Sequence, residues 1–183
     1  YYIKKGNGKS ILQINQSRAI KSNLQDSTSS VLNGMNSAYN VRDYVKYAYN
    51  FDGIEKLIKS KEYTFDRYLR RDASGFEYEF IKIIPNPSSE ELLYEGYVIV
   101  DNKSNKIIEF KVELAESHKK FSKLKNILIA KFKLNDHAVW CKFKFVKDQY
   151  ELVYYKNSFS LYLQMGKKVH DNISTTFDLL VLD

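Results

Sequence analysis

Residues 122–147 read SKLKNILIAKFKLNDHAVWCKFKFVK, and the fold turns on how this stretch pairs. With Asn135-Asp136 as a two-residue turn, Leu134 opposes His137 and the flanks form a hairpin. One face then collects Phe132 with Val139, Ala130 with Cys141, Leu128 with Phe143, and Asn126 with Phe145. The other collects Lys133 with Ala138, Lys131 with Trp140, Ile129 with Lys142, Ile127 with Lys144, and Lys125 with Val146. Side chains alternate with a period of two, so a one-residue slip would scramble both faces. The pattern predicts an antiparallel pair with one apolar and one lysine-rich face.

The same period runs outward in both directions. Glu62 to Leu69 and Phe76 to Ile84 alternate around the turn residues 71–75, and Tyr94 to Asp101 and Lys106 to Leu114 flank the turn 102–105. In the last of these Ile108, Phe110, Val112 and Leu114 face one way and Glu109, Lys111 and Glu113 the other, as a half-solvated strand requires. Two more strands are expected near Tyr150 to Gln164 and Asn172 to Leu182. Residues 40–60 alone carry helical spacing, with Asn40 and Asp52 as caps of two short helices broken at Asn50-Phe51-Asp52-Gly53. Their apolar positions are Val41, Tyr44, Val45 and Ala48, then Ile54, Leu57 and Ile58. Residues 1–39 read as a loosely structured segment with a short strand at Ile11, Leu12 and Ile14, and 40–183 as the sheet domain. The expected class is α+β, mainly β: a large curved antiparallel sheet, or half-barrel, of about eight strands packed on one or two helices.

Composition agrees. The 183 residues are 44% hydrophobic and 28% charged, which excludes wholly disordered and collagen-like chains. Fifteen tyrosines favour sheet. One cysteine, Cys141, excludes an intrachain disulfide and a multi-cysteine zinc cluster, and its place on the apolar face predicts a buried, inert thiol. No apolar run is long enough for a membrane-spanning helix. Opening at Tyr1 without an initiating Met, the sequence reads as part of a longer protein.

No catalytic constellation emerges. His118, His137 and His170 stand in no metal-binding pattern, Glu77 and Glu79 read as solvated charge on a strand, and His170-Asp171 reads as a solvated turn. Gly6-Asn7-Gly8-Lys9-Ser10 lacks the spacing of a phosphate loop. The expectation is a non-enzyme with no metal and no cofactor. The net charge of +7 is more telling, because residues 117–147 alone hold nine lysines against one aspartate. Lys123, Lys125, Lys131, Lys133, Lys142 and Lys144 surround Trp140 on the predicted cationic face. Solvation is the plainest role of such a face; an acidic protein surface or lipid headgroups are the partners it would suit. Scarce arginine and the lack of an RNA-binding signature argue against nucleic acid. The opposite face, with Leu128, Phe132, Val139, Phe143 and Phe145, forms either a dry core or the lining of an apolar-ligand cavity.

Several ordered motifs carry a resemblance: Asn40-Val41-Arg42-Asp43, Tyr63-Thr64-Phe65, Phe76-Glu77-Tyr78-Glu79-Phe80, Leu93-Tyr94-Glu95-Gly96-Tyr97-Val98-Ile99-Val100-Asp101 and Phe177-Asp178-Leu179-Leu180-Val181. Over roughly residues 10–183 this run resembles the region that follows the carboxypeptidase-like regulatory domain in envelope proteins of Bacteroidetes. The resemblance implies a half-barrel sheet similar to that of lipoprotein carriers. It also implies an exported protein at the outer membrane, on its periplasmic or surface side, acting as an accessory or scaffolding module of a transport, secretion or assembly complex. A carrier of a lipid or other apolar ligand is the alternative.

Overall fold

A computed structural model describes residues 2–6, 9–13, 48–127, 130–147, 149–166 and 169–181. The chain divides into two compact units, Tyr1–Asn50 with Leu180–Asp183, and Phe51–Leu179. In the first, β1 (Tyr2–Gly6) pairs antiparallel with β2 (Lys9–Gln13), which holds the expected Ile11 and Leu12. The helix expected from residue 40 lies outside the described residues up to residue 47.

The second unit is mainly β. It opens with α1 (Asp52–Lys59), whose Ile54 and Leu57 are buried while Ile58 is half exposed. Asp52 is not its cap. Phe51 occupies the capping position and Asp52 enters the first turn, where its charge favours the helix dipole rather than a free N–H. Then come β3 (Tyr63–Arg71), β4 (Glu77–Pro85), β5 (Tyr94–Asp101), β6 (Lys106–Leu114), a 3-10 turn at Glu116–Phe121, β7 (Lys125–Ile127), β8 (Ala130–Val146), β9 (Gln149–Met165) and β10 (Val169–Leu180). These eight strands form one open, half-barrel-like antiparallel sheet. Its order is β10-β9-β8-β6-β5-β4-β3, with β7 pairing on β8. His170 and Asp171, expected in a turn, lie in strand β10, where the His170 ring bonds the Tyr162 hydroxyl at 2.7 Å.

The turns of the β3–β6 meander are written in short polar side chains. The Asp72 carboxylate accepts from the backbone of Ser74 and Phe76, and Asp101 accepts from Lys103 and Ser104. Both carboxyls are held below their ordinary range, chiefly by the serine hydroxyls they accept from.

The expected hairpin about Asn135-Asp136 does not form. The chain reverses twice elsewhere: between Ile127 and Ala130, so that Lys125 opposes Phe132, and at Lys147, so that Val146 opposes Gln149. Lys147 takes the left-handed conformation, at φ 49°. β8 instead runs through Asn135 as a single 17-residue strand, with a bulge between Leu134 and Asp136. A bulge adds one residue to the strand and so inverts its inside–outside parity. A two-residue turn inverts parity equally, which is why one sequence pattern fits both topologies. Phe132, Val139, Cys141, Phe143 and Phe145 still share the inner face, and Lys131, Lys133, Trp140, Lys142 and Lys144 the outer one. Lys125 moves to the inner side with Phe132, and Lys123 lies outside any strand. Leu128 falls outside the described residues.

The inner face holds the core. Phe51 packs its ring on Phe110 (6.1 Å between centroids), Phe143 (5.4 Å) and Tyr150 (5.4 Å). Ile83, Val98, Leu114, Cys141, Tyr155 and Leu163 are buried along the same face. Burial pushes the Cys141 thiol up to about 12, so it stays protonated and unreactive.

Candidate functional site

The outer face of the sheet, apolar only in part, gathers most of the unusual chemistry. Register places Tyr68 opposite Phe80, Lys111 opposite Tyr97, Glu109 opposite Lys142, and Lys142 opposite Tyr154. Paired residues share a face, so strands distant in sequence bring their rings into one band.

The band begins at the β3 edge. The Arg70 guanidinium sits over Phe80 (5.1 Å) and Tyr68 (5.9 Å). Phe80 stacks on Tyr97, with centroids 5.1 Å apart and planes 25° from parallel. The Tyr97 hydroxyl donates to Glu109 Oε1 at 2.7 Å, and the Trp140 indole N–H donates to the same oxygen at 2.8 Å. Lys142 Nζ reaches Glu109 Oε2 at 3.3 Å and also lies 4.7 Å from the centre of the Trp140 ring. Trp140 meets Tyr154 edge-on at 5.1 Å. Burial, and then the bond to Glu109, raises the Tyr97 hydroxyl well above its ordinary value. Burial also raises Tyr154, with a hydrogen bond to Asp178 of β10 adding to it.

Glu109 is the keystone of this arrangement. Its side chain is 16% exposed and holds three partners from the two flanking strands, Tyr97 of β5 and Trp140 and Lys142 of β8. A carboxylate so placed strengthens each bond it accepts, because its charge is screened less than at the surface. It fixes the Tyr97 and Trp140 rings in single orientations, so the ordering cost of binding against them is already met.

The cationic residues expected here are only partly assembled. Lys142 and Lys144 are half buried and paired, the latter with Glu151 at 3.5 Å. Lys131 is exposed and Lys133 half-buried further along β8. Neighbouring strands supply carboxylates to Lys142 and Lys144, so part of the local surplus of positive charge in residues 117–147 is answered across the sheet. The sequence pattern places Trp140 on this face but not Tyr68, Phe80, Tyr97 and Tyr154, which come from strands outside the stretch that sets the register. Their common signal was present: each alternates with residues of the opposite face along its own strand.

On the inner face, Phe143 is 5% exposed and in ring contact with Phe51, Phe110 and Tyr150. Around that residue the apolar side chains pack as core. Phe132, Val139 and Phe145 are half-buried. Among the described residues no group of three or more His, Cys, Asp or Glu is placed to hold a metal ion, and no helix is long and apolar enough to cross a membrane. His118 is buried in the 3-10 turn, with its ring nitrogens on the Ser117 hydroxyl (2.9 Å) and the Asn86 carbonyl (3.1 Å), which ties the 85–90 loop down. No family model matches the chain, and no curated protein and no solved structure is significantly similar to it.

Proposed function

We propose that this chain is a non-catalytic docking module, an accessory part of the bacterial cell envelope that binds an outer-membrane protein complex through the outer face of its sheet. The observation that carries the reading is the band Arg70–Phe80–Tyr97–Glu109–Trp140–Tyr154. Trp, Tyr and Arg dominate binding energy at protein interfaces when they are rigid and ringed by polar groups, and here the rings are clamped and the rim is charged. Lys131 and Lys144 provide that rim on β8, where acidic protein surfaces or lipid headgroups would meet it. The envelope setting rests on the sequence resemblance alone.

The test is photo-crosslinking in native outer membranes from a bacterium that encodes the chain, with a crosslinker at Tyr154. An outer-membrane barrel protein or its lipoprotein partner is expected in the crosslinked band. Trp140→Ala should reduce that band about tenfold while leaving the far-UV circular dichroism unchanged. A crosslink pattern without any outer-membrane protein, or one indifferent to Trp140→Ala, overturns the proposal. Lipid recovered with the chain by native mass spectrometry would favour the carrier reading instead.

A further inference from the structure

Strand β3 ends the sheet, and its backbone orientation can be read from the bonds at its two ends. Asn86 N donates to Glu62 O at 2.8 Å, and Asp72 N donates to Phe76 O at 3.0 Å. Both pairs continue the β3–β4 register. Bonded pairs alternate in an antiparallel ladder, so the even-numbered residues of β3 bond to β4. Pro85, which has no N–H to give, accordingly stands opposite odd-numbered Tyr63. The N–H and C=O groups of Tyr63, Phe65, Arg67, Leu69 and Arg71 therefore point away from β4, to an edge that no described strand covers. Along that edge Tyr68 is 46% and Leu69 67% exposed.

An edge with large exposed apolar side chains invites strand pairing, and the charges of β3 specify with what. Two copies can join antiparallel about a two-fold axis only where facing residues share a side of the sheet, so the axis must pass through a residue. An axis at Arg67 sets Arg67 against itself. One at Asp66 sets Asp66 against itself, and one at Leu69 sets Arg67 against Arg71. Like charges directly opposite are unfavourable. An axis at Tyr68 has no such clash and, unlike the clash-free axes at Thr64 and Phe65 near the start of β3, engages most of the strand: Tyr68 faces Tyr68, and Asp66 faces Arg70 twice. On the other side Arg67 faces Leu69 and Phe65 faces Arg71, and both arginines already have carboxylate partners on β4, Glu79 (3.7 Å) and Glu77.

We propose that β3 is a dimerisation edge, with two copies pairing antiparallel about Tyr68 to make one continuous sheet. The pairs from Phe65–Arg71 to Arg71–Phe65 supply four bonded residue pairs, about eight main-chain hydrogen bonds. The tyrosines stack at the axis between two Asp66–Arg70 ion pairs.

Sedimentation velocity of the 183-residue chain over a concentration series tests this. A concentration-dependent dimer is expected. Asp66→Arg should weaken it about tenfold or more, and so should Arg70→Asp, whereas the double swap restores complementary charges and should restore the dimer. Leu69→Pro removes an N–H that points to the free edge and none that β4 uses, so it should give a folded monomer. A wild-type chain that stays monomeric throughout overturns the proposal. So does a dimer that survives Leu69→Pro with native circular dichroism, or a double swap that fails to restore association. If Leu69→Pro does not fold, the charge-swap set decides alone.

Discussion

Strands β3 to β6 are eight or nine residues long, and each reverses at a turn with chemistry of its own; β8 and β9 run 17 residues each. The first region is a set of local decisions. Asp72 and Asp101 tie their turns with side-chain oxygens, so the register of each pair is set within a dozen residues. The second is one long ribbon whose register must survive twist over its whole length. It does so with two bulges, one at Asn135 and one where Lys142 and Phe143 step from Tyr154 to Leu152. The short strands keep their faces mainly by turning well, with a single register shift where Ile99 and Val100 of β5 step from Glu109 to Ile107; the long ones rely on absorbing extra residues.

The Asn135 bulge is where this contrast can be broken most severely. On the same edge of β8, β7 pairs with residues 130–132 and β6 with residues 138–142, and the bulge lies in the gap between. The 3-10 turn closes that gap: the Ser122 hydroxyl donates to the Leu134 carbonyl, and Lys119 reaches Asp136 at 3.5 Å. Deleting Asn135 restores simple alternation and turns Lys131 and Lys133 inward while Ala130 and Phe132 turn out. The expected cost is about 5 kcal/mol or more, enough to consume the stability of an ordinary domain. Deleting Asn105, in the β5–β6 turn, should cost far less. Urea denaturation followed by tryptophan fluorescence checks both, and equal losses would erase the distinction between the regions.

The meander has its own sensitive point at Gly96. Its φ is +150°, and a Cβ there would lie 2.0 Å from the Lys111 carbonyl oxygen and 2.9 Å from the Val112 Cα. These are backbone atoms of the paired strand and cannot swing aside. Gly96→Ala should destabilise by about 3 kcal/mol, read as a drop in the urea midpoint. At Gly53 and Gly166 nothing stands within 4 Å of a Cβ, so Gly53→Ala, in helix α1, is the control that should not destabilise.

Legibility followed the same division. The sequence alone placed β3, β4, β5 and β6 within a residue or two, because polar turn residues interrupt an alternating pattern. It assigned the faces of β8 rightly and its topology wrongly, since a bulge and a tight turn invert parity alike. The choice between them depends on groups that alternation does not report: Ser122 and Lys119 at the bulge, and the pairing partner β9. The outer band was hidden for a related reason. Its members lie far apart in the chain and meet only through the order of the strands, so no local window contains them. Glu109 in particular reads as one more solvated charge of β6 until Tyr97, Trp140 and Lys142 converge on it.

A gentler probe of the long ribbon is pH. His137 follows the bulge on the inner face, with Nδ1 2.9 Å from the Tyr94 hydroxyl. Burial pushes its imidazole below the ordinary value, outweighing the Asn157 side chain and the charge of Asp136, both of which favour the protonated ring. The folded chain therefore takes up this proton less readily than the unfolded one. Stability tied to His137 is complete above the unfolded value of about 6.5 and is lost as pH falls from there through the folded value. The turns of the meander behave differently. Asp72 and Asp101 have lowered carboxyls, and their contribution persists until the solution is more acidic than about pH 4. Between roughly pH 7 and 5, the urea midpoint of His137→Gln should fall less than that of the wild type. Amide exchange should localise the wild-type loss to β8 and β9, with the β3–β4 turn still protected. Parallel slopes for the two proteins would mean that His137 does not set the acid limit of the ribbon.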